Sequence, residues 1–241
     1  MVGFSDIHTH VLPGVDDGAE DIKSAMEMIR MAYDDGTRTL FLTPHYKGGY
    51  KKYDADKIRE IFDRVRCEAL IAFPEMRLYL GSEILYQSEI PERLLHKEIL
   101  TMADSHYVLL EFREQTSRSR MITGVSEVIR YGYTPIIAHV ERYGVCRRDD
   151  TLIGELLDMG ALLQINAGSI LGRHGFAVKH FCKRLLKAQC VHFVASDAHD
   201  CNKRPPLLKQ CFLYVCKKYG TEYADRVFKD NARSVIENKM I

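Results

Sequence analysis

The sequence has little that would direct it to nucleic acid or to a membrane. Its 34 basic and 33 acidic residues leave a formal net charge of +1, so no strong overall field attracts a polyanion. No run approaches the roughly 18 apolar residues of a membrane span, and the first residues lack a basic segment followed by an apolar core. We therefore expect a cytoplasmic protein with neither a nucleic-acid partner nor membrane insertion.

The seven cysteines also lack the spacing of the common thiol sites. None lies in a Cys-x-x-Cys pair, and their odd number favours reduced thiols over a disulfide framework. A thiol phosphatase needs an arginine six positions after its cysteine, and none of the seven cysteines has one. If the protein hydrolyses phosphate, metal-activated water is therefore the natural substitute for a covalent phosphocysteine.

Short apolar runs that alternate with segments of helical spacing predict an α/β fold. The runs predicted as strands cover residues 4–7, 39–43, 77–81, 107–110, 135–138, 162–165 and 191–195. Such strands, separated by amphipathic helices, indicate a parallel sheet buried on both faces, in a barrel or a doubly wound sheet. A doubly wound sheet favours a glycine-rich phosphate loop after its first strand, and this chain has none. We therefore expect a barrel formed by one domain over residues 1–241.

Most of these predicted strands end beside a side chain able to bind a metal ion. His8 and His10 lie on one face of the first strand, because side chains at i and i+2 point the same way. Candidates near the other strand ends, or shortly after the first strand, are Asp16, Asp17, His45, Glu83, Glu111, His139, Asp197 and His199. Parallel barrels gather the carboxyl ends of their strands at one mouth, so we expect these side chains to converge. Any one of them alone could be an ordinary polar residue at a strand end.

The types of these residues indicate the chemistry. Histidines and carboxylates without a thiolate suit manganese, iron or zinc, and Glu83 or Glu111 could bridge two ions, as in many phosphoesterases. Arg142 and Arg204 each follow a predicted ligand and could bind phosphate through paired hydrogen bonds. A surface ion pair between Arg142 and Glu141 is the alternative.

Other polar residues fit the pattern less well. The segment 47–53 is either a solvated turn or a lid over the mouth. Arginines 113, 118 and 120 are expected at a solvated helix start. The histidines outside the strand ends are expected to be ordinary polar residues, and they are His96, His106, His174, His180 and His192.

These motifs resemble the polymerase and histidinol phosphatase (PHP) superfamily, and within it the bacterial capsule and exopolysaccharide branch of metal-dependent protein tyrosine phosphatases. The resembling segments are residues 6–10, 15–18, 43–45, 81–84, 110–112, 137–143, 195–199 and 204–206. They follow the family order over almost the whole chain. The sequences His-Val-Glu-Arg-Tyr at 139–143 and Arg-Pro-Pro at 204–206 are the most specific to this branch.

The resemblance implies a distorted, TIM-like (β/α)7 barrel with three divalent ions, usually manganese. It implies that His8, His10, Glu83 and Asp197 surround one ion, that Glu111 and His139 join Glu83 at a second, and that Asp17, His45 and His199 hold the third. It further implies that Asp6 orients a histidine and that Arg142 and Arg204 bind the phosphate. After Glu111, residues 113–120 are more charged than in relatives, which leaves peptide preference at that rim open.

The resemblance implies hydrolysis of phosphotyrosine on a cognate bacterial tyrosine autokinase that controls polysaccharide synthesis. The residues themselves indicate only a phosphomonoester hydrolase. Three alternatives stay open: a small-molecule phosphatase of the histidinol phosphate type, a metal-dependent amidohydrolase, and a non-enzymatic metal-binding regulatory module. An amidohydrolase usually needs a bridging lysine and more histidines at its strand ends, whereas this chain offers Glu83 and Glu111.

Overall fold

The computed structural model describes residues 3–48 and 54–241, in which short strands alternate with helices. The strands are β1 (Phe4–Thr9), β2 (Thr37–Leu42), β3 (His45–Tyr46), β4 (Arg77–Leu80), β5 (Glu83–Leu85), β6 (Tyr107–Glu111), β7 (Thr134–Ile137), β8 (Leu162–Asn166) and β9 (Phe193–Ala195). The helices are α1 (Ile22–Asp35), α2 (Ala55–Ala72), α3 (Ile90–Leu95), α4 (Arg118–Arg130), α5 (Gly144–Arg148), α6 (Asp150–Asp158), α7 (Ala167–Leu171), α8 (Phe176–Lys187), α9 (Lys209–Tyr219), α10 (Thr221–Asp225) and α11 (Asn231–Ile236). Short 3-10 turns at Met102–Asp104 and Val140–Arg142 and a π-helical turn at Arg226–Asp230 complete the described elements.

The strands form a curled parallel sheet. Each of the described strand pairs is parallel, in one sheet of order β1-β2-β4 and another of order β3-β5-β6-β7-β8-β9. The first and last strands meet, because the backbone N–H of Asp197 donates to the carbonyl of His8 at 2.9 Å and that of His10 donates to Ala198 at 2.8 Å. The predicted α/β fold with a parallel, curled sheet is therefore confirmed.

All seven predicted strands are present, and two short strands were not predicted. β3 and β5 start just after β2 and β4, beyond breaks at Thr43–Pro44 and Gly81–Ser82. Pro44 has no N–H to continue a ladder, and its carbonyl instead accepts from the N–H of Glu83 at 3.1 Å. These breaks carry His45 and Glu83 onto adjacent, paired strands.

Alternate residues of the strands face two different apolar clusters. In β6, Tyr107 and Leu109 belong to an inner cluster enclosed by the sheet, whereas Val108 and Leu110 pack in an outer cluster with α4. The strands are thus buried on both faces, as their nearly continuous apolar sequences predict. Because both layers fix the strands, the side chains at their carboxyl ends have a rigid support.

The remaining predictions about segments have mixed outcomes. α4 begins at Arg118 with Ser117 as its cap, accepting from the backbone N–H of Arg120 at 3.2 Å, so the predicted helix start near these arginines is confirmed. The prediction of a turn or lid over 47–53 lies largely outside the described residues. No helix among residues 3–48 and 54–241 is long and apolar enough to cross a membrane.

Candidate metal centre

The carboxyl ends of the strands bring the nine predicted metal ligands together. Four groups of side chains offer ligand atoms within 4.8 Å of one another: His10 with Asp17, His45 and His199; His8 with His10 and Asp197; His8 with Glu83 and His139; and His45 with Glu83 and Glu111. The groups overlap, because His8, His10, His45 and Glu83 each belong to two of them. The ligands therefore form one continuous cluster.

Glu83 lies at the middle of the cluster. Its Oε2 atom is 3.3 Å from the Nε2 atoms of both His8 and His10 and 2.9 Å from Nδ1 of His45. Its Oε1 atom is 2.7 Å from Nε2 of His139. Burial alone would raise the pKa of Glu83, but the surrounding histidines outweigh it and hold that pKa well below its usual value. A buried carboxylate with four nitrogen neighbours is suited to bridging cations.

Asp197 connects the cluster to the two predicted phosphate-binding arginines. Its Oδ1 atom is 3.5 Å from Nε2 of both His8 and His10. Its Oδ2 atom is 2.8 Å from Arg142 and 2.7 Å from Arg204. The carboxylate thus has one oxygen on the cluster side and one on the arginine side, and the arginines adjoin the cluster as predicted.

Two of the ligands have unusual backbone conformations. His139 has φ of 32° and Asp197 has φ of 55°, both in the left-handed region that residues other than glycine rarely adopt. After His139 the chain enters the turn at Val140–Arg142, where the N–H of Arg142 donates to the carbonyl of His139 at 2.8 Å. Such strain is commonly kept where it places functional side chains, and here it brings Arg142 back to Asp197.

The distance between two histidine rings bears on the protonation of the cluster. Nε2 of His8 and Nε2 of His10 are 3.2 Å apart, although both rings are fully buried. Burial opposes protonation of His8, but the charges of Glu83 and Asp197 outweigh it and raise its pKa. Two imidazole nitrogens this close need a proton or a cation between them. The donor set, crowded with histidine and carboxylate atoms, therefore fits bound divalent ions.

Glu111 gives a second sign that the cluster is suited to cations. Burial and the nearby charge of Glu83 together raise the pKa of Glu111 from 4.5 to about 8. The two carboxylates repel each other in the absence of a counter-charge, and a shared cation would remove that repulsion.

Residues behind the ligands hold two histidine rings in place. Nδ1 of His10 is 2.7 Å from Oδ2 of Asp16, and Nδ1 of His8 is 3.2 Å from Oε1 of Gln164. Both contacts leave Nε2 directed at the cluster, as is usual for histidines that bind metals. Asp6 was predicted to orient a histidine, but it accepts from the backbone N–H groups of His8 and Ser196 instead. The ring contacts of these two histidines are thus made by Asp16 and Gln164, whereas Asp6 contacts the backbone of His8.

A chain of amides and carboxylates continues behind Asp197. The side-chain amide of Gln164 donates to Asn166 at 2.7 Å, and that of Asn166 donates to Asp197 at 2.9 Å. The carboxylate of Glu141 accepts from the N–H of Asn166 at 3.0 Å and from the hydroxyl of Ser169 at 2.6 Å. Glu141 is therefore turned to the protein interior, and the surface ion pair with Arg142 that was the alternative prediction is wrong.

One histidine set aside on sequence grounds lies at the site. His174 lines a cavity together with Arg142, Asn166 and Arg204, and its Nδ1 atom is 3.0 Å from the hydroxyl of Ser169. It follows a helix end rather than a strand end, so the strand-end pattern could not find it. From the sequence alone His174 was expected to be an ordinary polar residue, with no sign that it lines this cavity.

The comparisons with known proteins agree with this geometry. A sequence model for the family described as capsular polysaccharide synthesis, CpsB/CapC, matches residues 4–237. This chain belongs to the CpsB/CapC family. The tyrosine-protein phosphatase CpsB of Streptococcus agalactiae is 35% identical over 98% of this chain and 99% of its own length. The tyrosine-protein phosphatase YwqE of Bacillus subtilis is 33% identical over 98% of this chain and 92% of its own.

Solved structures place the CpsB/CapC fold in a wider group. One of the crystal structures of YwqE from Bacillus subtilis and CpsB from Streptococcus pneumoniae, described as metal-dependent tyrosine phosphatases, superposes with a TM-score of 0.90 at 34% identity. The match covers 98% of this chain and 95% of that one. A phosphotriesterase homology protein from Escherichia coli superposes with a TM-score of 0.61 at 11% identity, covering 98% and 99% of the two chains. The second similarity is one of fold alone. The predicted resemblance to capsule-type metal-dependent phosphatases is thus confirmed.

Proposed function

We propose that this protein is a metal-dependent protein tyrosine phosphatase. The observation that supports it most is Asp197, which has one oxygen beside the histidine cluster and the other beside Arg142 and Arg204. A phosphate bound by the two guanidinium groups would lie next to the ligand cluster. The family relatives named tyrosine-protein phosphatase support the choice of phosphotyrosine over other phosphomonoesters.

We propose three ion sites, with manganese as the native metal and iron or zinc as alternatives. His8, His10, Glu83 and Asp197 would hold the first ion; Glu83, Glu111 and His139 the second; and Asp17, His45 and His199 the third. Each set agrees with overlapping groups of side chains in the cluster, although His10 also lies close to the third set. Bound divalent ions would activate a water molecule and neutralise charge on the phosphoryl oxygens.

Residues beside the cluster would bind the phosphoryl group of the substrate. Arg142 and Arg204 would bind and orient the phosphoryl group and stabilise the charge that grows on it. Burial opposes the charge of Arg142, but Asp197 outweighs it and raises the pKa of Arg142, so the guanidinium stays charged at any working pH. The tyrosine phenolate is a moderate leaving group that needs less protonation than an alkoxide would, and we assign no general acid.

The remaining biological assignments are also proposals. We propose a single domain over residues 1–241 and a (β/α)7 count in which β2 with β3, and β4 with β5, each form one broken strand. The substrate would be a tyrosine autokinase of capsule or exopolysaccharide synthesis, in keeping with the family description. All seven cysteines are free, which suits a reducing compartment, and we propose the cytoplasm.

The test is phosphate release from a phosphotyrosyl peptide with manganese, against a chelated control. Arg142→Ala and Arg204→Ala should each lower kcat by about 10²–10³, the usual loss when a donor to a transition-state oxyanion is removed. Arg30→Ala is the matched control, because Arg30 is an exposed arginine of α1 paired with Glu27. Histidinol phosphate is the competing substrate: release from it alone, with none from the peptide, would reject the proposal in favour of a small-molecule phosphatase.

A further inference from the structure

A basic cavity lies on the side of Asp197 that faces away from the ligand cluster. It has a volume of about 210 Å³, and its charged lining residues are Arg142, Arg173, Lys203, Arg204, Asp35 and Asp197. Four cationic side chains thus meet two carboxylates. Of the nine proposed metal ligands, only Asp197 lines it.

Both carboxylates of the cavity are already engaged. Oδ2 of Asp197 is shared between Arg142 and Arg204. Oδ2 of Asp35 accepts from the backbone N–H groups of Leu208 at 2.6 Å and Lys209 at 2.7 Å, which fixes the start of α9. Neither is paired with Arg173 or Lys203 in a recorded ion pair among the described residues. The lining therefore has two more cationic than acidic side chains, and its two exposed cations are Arg173 and Lys203. Asp200 lies outside the lining, but the charge of Lys203 helps to lower the pKa of Asp200.

The chain is shaped to hold Arg173 at this place. α7 ends at Leu171 and is capped by Gly172, whose φ of 99° favours glycine, and the N–H of Arg173 then donates to the carbonyl of Gly168 at 2.9 Å. The side chain of Arg173 lies over Gly168, where an added Cβ would be 3.3 Å from Cδ of Arg173. The position of Arg173 is thus set by the end of a helix and not by the end of a strand.

The backbone of Lys203, another lining residue, lies in a turn held by Asp200. Oδ1 of Asp200 accepts from the backbone N–H groups of Asn202, Lys203 and Arg204. This turn links Lys203 to the arginine that would bind phosphate. The backbone position of Lys203 is therefore fixed relative to that of Arg204.

Among the uncharged lining residues, neutral His174 has no free donor for an oxyanion, because its single N–H faces Ser169. The hydroxyl of Ser169 is 2.6 Å from the Glu141 carboxylate, to which it donates its single hydrogen, so Nδ1 of His174 must be the donor toward Ser169. The proton of neutral His174 is therefore on Nδ1. Asn166, Ser196 and Gln210 complete the uncharged polar lining, and the side-chain amide of Asn166 already donates to Asp197.

We propose that this cavity is a second anion-binding subsite, which takes an oxyanion carried by the same peptide as the phosphotyrosine. This proposal rests on the proposed function and specifies its substrate: a phosphotyrosine with a carboxylate or a second phosphoryl group nearby. The phosphoryl group under attack would lie on the cluster side of Arg142 and Arg204, and the flanking oxyanion on the side of Arg173 and Lys203. The two arginines between the subsites would contact both groups.

The test measures binding of fluorescent peptides that carry a non-hydrolysable difluoromethylphosphonate analogue of phosphotyrosine, with manganese present. Three peptides are compared, in which the neighbouring residues are alanine, glutamate or a second phosphotyrosine analogue. The acidic peptides should bind the wild-type protein about fivefold more tightly than the alanine peptide, a gain typical of two exposed ion pairs. The larger gain of the two identifies the source of the oxyanion.

The variant Arg173→Gln/Lys203→Gln should bind all three peptides within about twofold of one another, because the outer cations are gone. Lys183→Gln, at an exposed lysine of α8 outside the cavity, should keep the full preference. Equal binding of acidic and neutral peptides to the wild type, or a preference that survives in the double variant, would overturn the subsite, as would failure to bind any peptide. Phosphate release from the hydrolysable alanine peptide is measured in parallel, so that a failure of the phosphatase function is seen separately.

Discussion

The amino and carboxyl ends of the strands differ in the polarity of their inward-facing residues more than one strand differs from another. Inward-facing residues change from apolar to polar toward the carboxyl end in three strands: from Tyr107 and Leu109 to Glu111 in β6, from Leu162 to Gln164 and Asn166 in β8, and from Phe193 and Ala195 to Asp197 just after β9. Both ends are buried. The apolar end gains stability from burial itself, whereas the polar end needs partners for every charge it buries.

This contrast separates the end of the sheet that stabilises the fold from the end that holds the functional groups. The inner apolar cluster has no group that could take part in the chemistry, and its residues pack at or near zero exposure. The polar end holds ionisable groups whose pKa values are displaced in both directions, as for Glu83 and Glu111. Substitutions at the two ends should therefore affect different quantities, and the predictions below test that separation in decreasing order of effect.

The largest effect is expected at Glu83. Glu83→Ala removes the carboxylate that contacts four histidines of the cluster, so we expect the protein to lose bound metal and its turnover to fall to that of chelated wild type. Metal content by elemental analysis and phosphate release give the two readouts. Glu68→Ala, at an exposed glutamate of α2, is the control. A Glu83→Ala protein with full metal content and normal turnover would show that the cluster is not the functional site.

A second large effect, on stability alone, is expected at Phe41. Phe41 is fully buried in the inner cluster and stacks on Tyr79 with ring centroids 5.3 Å apart. Phe41→Ala should lower the free energy of unfolding by about 3–5 kcal/mol, measured by denaturant unfolding, while the kcat of the folded enzyme is unchanged. Phe176→Ala, at a phenylalanine that is 84% exposed, should change stability by less than about 0.5 kcal/mol. A large loss of kcat in Phe41→Ala would mean that the two ends are not separable.

The sequence predicts this division only in part. The strands and most of the candidate ligands were predictable because apolar runs and the chemistry of the residues that follow them are both visible in the sequence. The choice of Asp17 over Asp16 came from the family resemblance. β3 and β5 were not predictable, because each is too short to show a period of its own and depends on pairing with the other. The ring partners Asp16 and Gln164 depend on contacts between distant segments, which a local pattern does not contain.

The basic cavity was missed for a similar reason. Arg173 and His174 come after a helix and Lys203 lies in a turn, so no repeated pattern connects them in the sequence. They line one cavity, beside which Gly172 caps α7 and the N–H of Arg173 donates back to the carbonyl of Gly168. Convergence of strand ends is a general property of parallel barrels, whereas the positions of such loops are particular to each chain.

An intermediate effect is expected behind the ligands, at Asp16. Asp16→Asn keeps the shape of the side chain but removes the negative charge that faces Nδ1 of His10 at 2.7 Å. We expect metal affinity to fall by about 10–100-fold, as is typical when the partner of a metal-binding histidine is changed. Asp6→Asn should weaken metal binding less, because Asp6 accepts from backbone N–H groups rather than from a ring. Calorimetric titration of both metal-free variants with manganese measures the difference in affinity. A larger loss of affinity in Asp6→Asn than in Asp16→Asn would restore Asp6 as the residue that orients a histidine.

The smallest effect concerns the pH dependence of the metal-free protein. Burial and the charge of Glu83 raise the pKa of Glu111 from 4.5 to about 8, so the folded protein holds this proton more tightly than the unfolded chain does. The stability that this proton contributes is complete below about pH 4.5 and is lost as the pH rises through about 8.

Glu111→Gln removes that titration without changing the size of the side chain. In chelated protein, the Tm of the wild type should therefore fall more steeply between pH 5 and pH 8 than the Tm of Glu111→Gln, by roughly 2–4 °C for each kcal/mol of difference. Other groups of the cluster titrate in both proteins, so the difference between the two curves isolates Glu111. Parallel curves would show that Glu111 has an ordinary pKa, and the polar end would then lack the carboxylate repulsion that a shared cation relieves.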